Sequence, residues 1–207
     1  MSELVLATRN AGKVREIREI LSEYPEVGVV GLDAVGLAES PEEDALEAFA
    51  TFQENALAKA RYFAARTGRL TLADDSGICV DALDGAPGVH SRRFARRGDL
   101  RGPEQDAANN ELLVELLRGR EGAERAAHYV CAAALAWPDG REEIFVGTCD
   151  GVLLASPRGE GGFGYDPLFF LPDEGMTFGE LPPARKNVVS HRGKAVRQAA
   201  RKLENEG

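Results

Sequence analysis

The order of elements at the start of the chain restricts the possible folds more than any other feature of the sequence. Residues 4–7 form a short apolar run that ends in the polar, glycine-containing turn at 8–12. The apolar residues that follow recur at the spacing of one helix face: Val14, Ile17, Ile20 and Leu21. A second apolar run at 27–30 predicts another strand, so the chain begins as an α/β protein.

The rest of the chain continues this alternation. A capping residue, a proline and two acids at 40–43 predict the start of a long helix that ends near Gly68. An apolar strand at 70–73 runs into the sequence DDSG, which is expected to lie at the strand end. The remaining predicted elements are a helix at 104–117, a hairpin of strands at 128–137 and 143–154, a strand at 169–171 and a last helix from Ser190.

The composition argues against several classes of function. The chain has 207 residues and a net charge of −9, and this overall field opposes the binding of polymeric nucleic acid. The longest mostly apolar run, at 130–137, is too short to span a bilayer, and no basic leader precedes the first strand. Three widely spaced cysteines are expected to be buried and reduced, which favours the cytoplasm.

The turn between the first strand and the first helix is a candidate phosphate site. It consists of Thr8, Arg9, Asn10, Ala11, Gly12 and Lys13. Backbone N–H groups at a helix N-terminus bind anions, and the lysine adds a positive charge. A Walker loop is excluded, because Ala7 stands where that motif has its first glycine. A capped turn without a ligand would give the same pattern, so both interpretations stay open.

Two adjacent carboxylates, Asp74 and Asp75, form a candidate metal site. Adjacent carboxylates repel each other unless a positive charge lies near them, and oxygen ligands suit a hard cation such as Mg²⁺. Glu42 and Glu43, at the predicted start of the long helix, are candidates to complete the ligand set. The alternative is a solvated turn with a hydrogen-bonded aspartate.

Two further segments have the features of a base-binding site. The loop GGFGYDP contains Phe163, Gly164, Tyr165 and Asp166. Glycine lets the backbone approach a ligand closely, and an aromatic ring can stack on a planar base. Lys186, His191 and Arg192 lie at or before the predicted start of the last helix, where phosphate or a carbonyl-rich base would bind. The alternatives are a structural loop whose two aromatic rings fill the core, and surface side chains at a helix start.

Taken together, these segments resemble the inosine triphosphate pyrophosphatase family. The resemblance extends over nearly the whole chain through the motifs ATRNAGKVREI, TFQENALAKA, LADDSGICVDALDGAPGVHS, GGFGYDPLFF and KNVVSHRGKA. It implies a single domain, residues 1–207, in which two α/β lobes surround an elongated, twisted mixed sheet with a nucleotide cleft between them. It also implies Mg²⁺ as the cofactor, a homodimer, and hydrolysis of ITP, dITP and XTP to the monophosphate and pyrophosphate.

The resemblance also implies roles for individual residues. Asp75 matches the general base, which also binds the metal, and Glu42 matches the acidic metal ligand, with Glu43 as the substitute. Residues 8–13 match the phosphate-binding turn, within which Arg9 has a supporting role. The remaining matches to substrate contacts are Ser76, Phe163, Gly164, Tyr165, Asp166, Lys186, His191 and Arg192.

Two other functions remain as alternatives. One is a pyrophosphatase for pyrimidine or otherwise modified nucleotides, against which the SHR motif and the GGFGYDP loop argue. The other is a nucleotide-binding module without chemistry. The cluster of carboxylates argues against this second alternative, because a protein that only binds a nucleotide gains nothing from it.

Overall fold

The computed structural model describes residues 3–206 of the chain. Its strands are β1 (Glu3–Leu6), β2 (Gly28–Gly31), β3 (Thr71–Val80), β4 (Ala126–Ala136), β5 (Glu142–Leu153), β6 (Phe169–Leu171) and β7 (Met176–Thr177). Its α-helices are α1 (Ala11–Leu21), α2 (Phe52–Thr67), α3 (Gly102–Leu116), α4 (Pro183–Val189) and α5 (His191–Glu206). Short 3₁₀ helices span Pro41–Glu47, Asp81–Leu83, Gly88–Arg93 and Gly122–Arg125. None of the helices in this part of the chain is long and apolar enough to cross a membrane.

The strands form one mixed sheet flanked by helices, in the order β2-β1-β3-β4-β5-β6-β7. β1 pairs in parallel with both β2 and β3, so that Val5 lies opposite Val30 on one side and Thr71 on the other. β6 pairs antiparallel with β5 and with β7. The mixed sheet confirms the α/β class that the sequence predicts.

The described residues group into two compact units. The first comprises residues 3–76, 131–148 and 187–206, and the second comprises 77–130 and 149–186. The core of the first unit joins apolar residues of β1, α1 and α5, which include Leu4, Ile17, Ile20, Val196 and Ala199. Burial of each large aliphatic side chain stabilises the fold by about 1.5–3 kcal/mol.

The second unit has an aromatic core. Tyr129, Phe169 and Phe178 are all buried, and their ring centroids lie 4.7 to 5.7 Å apart. Aromatic pairs at such distances contribute about 0.5–1.5 kcal/mol beyond the area that they bury. This cluster supports the short strand β6, whose position as a strand the sequence predicts correctly.

The prediction of one long helix from residue 40 is wrong, because two separate helices occupy this segment. Ser40 caps the 3₁₀ helix Pro41–Glu47 through a capping box with Glu43. A second cap follows, in which the Thr51 side chain accepts a hydrogen bond from the N–H of Glu54 and starts α2. The predicted end of α2 is correct, since Gly68 adopts the left-handed conformation common at helix ends.

The DDSG sequence does not lie at a strand end, and this prediction is also wrong. β3 continues through Asp74, Asp75, Ser76 and Gly77 to Val80. Both aspartates have cationic partners in the structure, so their charges do not force the strand to end. The sequence also does not predict the helix α4, whose residues follow a proline-rich stretch.

The start of α5 packs against backbone on two sides. A Cβ at Gly147 of β5 would overlap the carbonyl oxygen of His191. A Cβ at Gly193 of α5 would overlap the carbonyl oxygen of Asn187 in α4. Glycine inside a helix costs about 1 kcal/mol relative to alanine, so the close approach of α4 explains its presence at residue 193.

Candidate active site

Asp75 is held by two side chains from one face of α2. Asn55 Nδ2 donates a hydrogen bond of 3.0 Å to Asp75 Oδ2, and Lys59 Nζ lies 3.1 Å from Asp75 Oδ1. Asn55 and Lys59 are four residues apart, so they project from neighbouring turns of the same helix face. All three residues are buried. The carboxylate of Asp75 therefore has a fixed orientation.

Glu47 shares the Lys59 ammonium with Asp75. Lys59 Nζ lies 3.0 Å from Glu47 Oε1 as well as 3.1 Å from Asp75 Oδ1. Burial alone would lower the pKa of Lys59, but the two carboxylates outweigh burial and raise this pKa. The lysine is therefore a charged bridge between two acidic side chains, and sequence reasoning missed Glu47 as a member of this group.

The two acids predicted as metal ligands lie elsewhere. Glu42 Oε2 accepts hydrogen bonds from the Tyr62 hydroxyl and the Arg66 guanidinium, and its side chain is 66% exposed. Glu43 accepts from Arg9 Nε and Nη2, and its side chain also closes the capping box. The structure thus brings neither Glu42 nor Glu43 into a hydrogen-bonded group with Asp75.

Asp74 belongs to a separate buried charge cluster. Side chains alternate between the two faces of a strand, so Asp74 and Asp75 point in opposite directions. Asp74 Oδ2 lies 3.0 Å from Lys13 Nζ and 3.3 Å from Arg192 Nε. Burial would raise the pKa of Asp74, but Lys13 and Arg192 outweigh burial and hold the pKa well below its usual range. Its other oxygen, Oδ1, is buried and accepts no hydrogen bond from residues 3–206.

Arg192 lies inside this cluster, with 3% of its side chain exposed. Its guanidinium donates to Glu16, to Asp74 Oδ2 and to Ser76 Oγ, the last at 2.7 Å. Burial would lower the pKa of Arg192, but Glu16 and Asp74 outweigh burial and raise it. Arg192 and Ser76, which the sequence predicts as substrate contacts, thus contact each other and share Asp74 as a partner. His191, the preceding residue, is buried at the start of α5.

The predicted phosphate turn is a capped helix start. Asn10 caps α1 by accepting a hydrogen bond of 3.0 Å from the N–H of Lys13, and Thr8 Oγ1 accepts from the N–H of Asn10. The N–H groups of Ala11 and Gly12 lie in the first helical turn, where no intrahelical partner exists. These two N–H groups are the donors that the turn offers to an anion, and the Lys13 ammonium is paired with Asp74.

Arg9 points away from this arrangement. It forms a bidentate pair with Glu43, and Nη1 donates to the carbonyl oxygen of Leu37. The hydrogen bond to Glu43 raises the pKa of Arg9. Arg9 therefore joins the turn to the 3₁₀ helix Pro41–Glu47.

In the second unit, the GGFGYDP loop divides its two aromatic residues between different environments. Tyr165 is buried, and its hydroxyl donates a hydrogen bond of 2.8 Å to the carbonyl oxygen of Ser91. Burial and the nearby Asp106 raise the pKa of Tyr165, which keeps this hydroxyl protonated. Phe163 is only partly buried. Of the two predicted roles, core filling fits Tyr165 and a stacking surface fits Phe163.

Asp166 and Lys186 form a buried ion pair beneath Phe163. Asp166 Oδ2 accepts from the Lys186 ammonium and from the N–H of Phe163. Lys186 Nζ lies 5.2 Å from the centroid of the Phe163 ring. A Cβ at Gly162 would overlap Asp166 Oδ2, so glycine is required there for this hydrogen bonding. The predicted residues Phe163, Asp166 and Lys186 are therefore in direct contact.

The acidic residues of the first unit fit a hard divalent cation. Glu47 and Asp75 already hold one shared cation, the Lys59 ammonium. Within residues 3–206, no group of three or more His, Cys, Asp or Glu side chains is arranged to hold a metal ion. Mg²⁺ is usually bound through one or two carboxylates together with substrate phosphates and water. A site with two carboxylates is therefore of the kind that Mg²⁺ occupies beside a nucleotide.

Comparisons with known proteins assign the chain to a family. The model of the Ham1 family matches residues 4–202. The dITP/XTP pyrophosphatase of Desulforamulus reducens is 47% identical over an alignment of 202 positions that covers 95% of this chain and 93% of that protein. The dITP/XTP pyrophosphatase of Thermus thermophilus is also 47% identical, over 94% of this chain and 88% of that protein.

A solved structure supports the same assignment. The HAM1 protein from Coxiella burnetii superposes with a TM-score of 0.84 at 36% sequence identity, covering 99% of this chain and 100% of that protein. Both the sequence match and the structural match extend over nearly the full length. The chain described here belongs to the Ham1 family.

Proposed function

We propose that the chain hydrolyses dITP, ITP and XTP to the monophosphate and pyrophosphate in a reaction that requires Mg²⁺. The observation that carries the proposal is the group of Asp75, Glu47 and Lys59, in which two buried or half-buried carboxylates share one cation. The names of the relatives in Desulforamulus and Thermus support the choice of substrate. The family match over residues 4–202 supports a single catalytic domain.

The environments of the two aspartates support different roles. Asp74 is tied to Lys13 and Arg192, which hold its pKa low, so it is a weak proton acceptor. Asp75 keeps 10% of its side chain exposed and has its orientation fixed by Asn55 and Lys59. We therefore assign to Asp75 the orientation of the attacking water and the acceptance of its proton, while the anhydride bond between the α- and β-phosphates breaks.

Glu47 and Asp75 are the residues proposed to hold Mg²⁺. When bound, Mg²⁺ would neutralise charge on the phosphate oxygens. Glu47 replaces Glu42 in this role, because Glu42 is committed to Arg66 and Tyr62. Because the pKa of Lys59 is raised, its ammonium stays charged and holds the two carboxylates near each other.

The turn at residues 8–13 is proposed to bind the triphosphate. The N–H groups of Ala11 and Gly12 point out of the start of α1, and Lys13 brings a positive charge to the same turn. Thr8 and Asn10 hold the turn in shape through their hydrogen bonds. Preorganised donors of this kind stabilise the charge that grows on the pyrophosphate leaving group.

The second unit is proposed to bind the purine base. The partly buried ring of Phe163 would stack on the base, an interaction worth about 1–3 kcal/mol. Backbone groups of the loop would read the oxygen at position 6, with Asp166 and Lys186 supporting the loop from below. In the first unit, Arg192 and His191 remain proposed substrate contacts, and Arg192 has the additional role of stabilising the charge of Asp74.

Pyrophosphate release from dITP, ITP, XTP, ATP and GTP, measured with Mg²⁺ and with excess EDTA, tests the proposal. We expect fast turnover of the first three nucleotides with Mg²⁺ only. Equal turnover of all five would support the hydrolysis but refute the base selectivity. Tight nucleotide binding without any turnover would favour a binding module, and turnover of pyrimidine triphosphates alone would favour the other alternative.

A matched pair of variants tests the assignment of the acidic ligand. Glu47→Gln should reduce turnover on the order of a hundredfold or more and weaken the Mg²⁺ dependence, because it removes one of the two metal ligands. Glu42→Gln changes charge equally but alters only exposed contacts with Arg66 and Tyr62. A large loss in Glu42→Gln with a small loss in Glu47→Gln would refute the assignment.

The homodimer remains a proposal that rests on the family resemblance, and the cytoplasmic location remains a proposal that rests on the expectation of reduced cysteines. Analytical ultracentrifugation at micromolar concentration tests the first. A sedimentation coefficient of the monomer at all concentrations would refute it.

A further inference from the structure

Two side chains of helix α3 form hydrogen bonds with the backbone of Gly164, the residue that follows Phe163. The N–H of Gly164 donates a hydrogen bond of 2.8 Å to Asp106 Oδ2. Asn110 Nδ2 donates a hydrogen bond of 2.9 Å to the carbonyl oxygen of Gly164. Asp106 and Asn110 are four residues apart on α3, so one face of the helix binds both polar groups of a single residue.

The Asn110 side chain is oriented by its hydrogen bond to Gly164, since its other amide atom has no partner within residues 3–206. Its other amide atom, Oδ1, is buried and accepts no hydrogen bond from the described part of the chain. An unsatisfied buried acceptor is unfavourable. The side chain nevertheless keeps its donor on Gly164, whose backbone adopts a φ of +62°. Two side chains of one helix thus hold the peptide groups on both sides of Gly164.

We propose that Asp106 and Asn110 are positioning residues that set the base selectivity of the enzyme. This inference rests on the proposed function, in which the ring of Phe163 and the neighbouring backbone contact the base. Because Gly164 is bonded to Phe163, hydrogen bonds that hold the backbone of Gly164 also hold the backbone from which the ring projects and set the direction of the loop amides. Neither α3 residue needs to touch the substrate.

The supports on the two sides of Phe163 differ in kind. Asp166 accepts from the N–H of Phe163 itself and is paired with Lys186, so it belongs to the loop and its buried ion pair. Asp106 and Asn110 come from a separate helix, and both form hydrogen bonds with the backbone of the loop. Substitutions on α3 therefore change the position of the loop without changing its sequence or its ion pair.

The test uses the full chain with Asp106→Ala, Asn110→Ala and the double variant. We expect kcat/KM for dITP and XTP to fall on the order of tenfold in each single variant through a higher KM, because loss of loop placement weakens binding of the base in ground state and transition state alike. The slow rate with ATP should change little, so the ratio of XTP to ATP turnover should fall by about the same factor. Asp106→Asn keeps an oxygen acceptor for the N–H of Gly164 and should restore most of the ratio.

Glu111→Ala provides the matched control, since this residue is exposed on α3 and the substitution also replaces a carboxylate of that helix by alanine. Hydrogen exchange of the peptide that contains Gly164 gives a readout that does not depend on activity. We expect faster exchange in Asp106→Ala and unchanged exchange in Glu111→Ala. Equal losses with all nucleotides, or unchanged exchange at Gly164, would overturn the inference. If the wild type hydrolysed none of these nucleotides, the proposed function would fail. Faster exchange at Gly164 in Asp106→Ala would still show that α3 holds the loop in place.

Discussion

Replacing Asp74 by asparagine tests the buried charge cluster of the first unit directly. The substitution keeps the size of the side chain but removes its charge. In the wild type, the carboxylate is fully buried and lies 3.0 Å from Lys13 Nζ and 3.3 Å from Arg192 Nε. After the substitution, both cations lose this counter-charge while they remain largely buried.

The expected loss of stability follows from these distances. At an effective dielectric constant of about 20, contacts at 3.0 and 3.3 Å each correspond to roughly 5 kcal/mol of Coulomb attraction. The cost of removing the ions from water cancels much of this gain, and breaking such a buried pair typically costs about 3–5 kcal/mol. Arg192 keeps Glu16 as a partner, so we expect a value near the lower end, about 3 kcal/mol. For a chain of this size, this corresponds to a fall in Tm of about 6–12 °C.

Urea denaturation provides the assay, followed by circular dichroism and by the fluorescence of Trp137, the single tryptophan. The pH dependence of the free energy of unfolding adds a second test. The pKa of Asp74 is lowered in the folded state, against about 3.9 for an unfolded aspartate. The stabilisation is therefore fully present above pH of about 4 and is lost as the pH falls through the lowered pKa. The difference in free energy of unfolding between wild type and Asp74→Asn should decrease over the same pH range.

Asp33→Asn is the control, because Asp33 forms an ion pair with Arg9 at 3.5 Å but has a fully exposed side chain. Its midpoint of denaturation should equal that of the wild type within error. The reasoning is refuted if Asp74→Asn and Asp33→Asn unfold at the same urea concentration at pH 7. A difference between wild type and Asp74→Asn that stays constant down to pH 2 would also contradict the electrostatic explanation.

Three further predictions concern packing, cysteine reactivity and the loop tyrosine. Gly193→Ala should lower the free energy of unfolding by about 1–3 kcal/mol, because its Cβ would overlap a backbone oxygen of α4; an unchanged Tm would contradict the packing. Cys131 should resist iodoacetamide at pH 8 until the chain unfolds, since burial and then Asp74 raise its pKa to about 12; mass spectrometry would detect early labelling. Tyr165→Phe should cost about 1 kcal/mol in thermal unfolding and leave KM for XTP within about twofold, because its hydroxyl faces the protein; a large rise in KM would instead make the hydroxyl a substrate contact.

Local signals in the sequence predict most of the fold. Periodic apolar residues identify α1, and the segment around residues 138–141 identifies the hairpin between β4 and β5. The break before α2 was also visible, because Thr51-Phe52-Gln53-Glu54 has the form of a capping box. The prolonged β3 was not visible, since charged residues inside a strand are satisfied by partners distant in the sequence.

The same break underlies our proposal of Glu47, in place of Glu42, as a metal ligand. A single helix from Ser40 would place Glu42 in its first turn, whereas in the structure α2 begins after Thr51, and Glu47 of the preceding 3₁₀ helix pairs with Lys59. The spacing of Asn55 and Lys59 on one face of α2 was a second available signal. The burial of Arg192 between Glu16 and Asp74 could not be predicted, because it depends on the packing of α1 against α5 and on residues 118 or more positions apart.

The contact of Gly147 with the start of α5 has a consequence for protein engineering. Where two elements meet through side chains, a neighbouring residue that is too large or too small is accommodated by a change of rotamer. At this junction, a backbone oxygen faces the position that a Cβ would occupy, so no rotamer change is available. A library that randomises residues around His191 to broaden the range of substrates should therefore keep Gly147 fixed, since any larger residue would displace the whole helix instead of reshaping its surroundings.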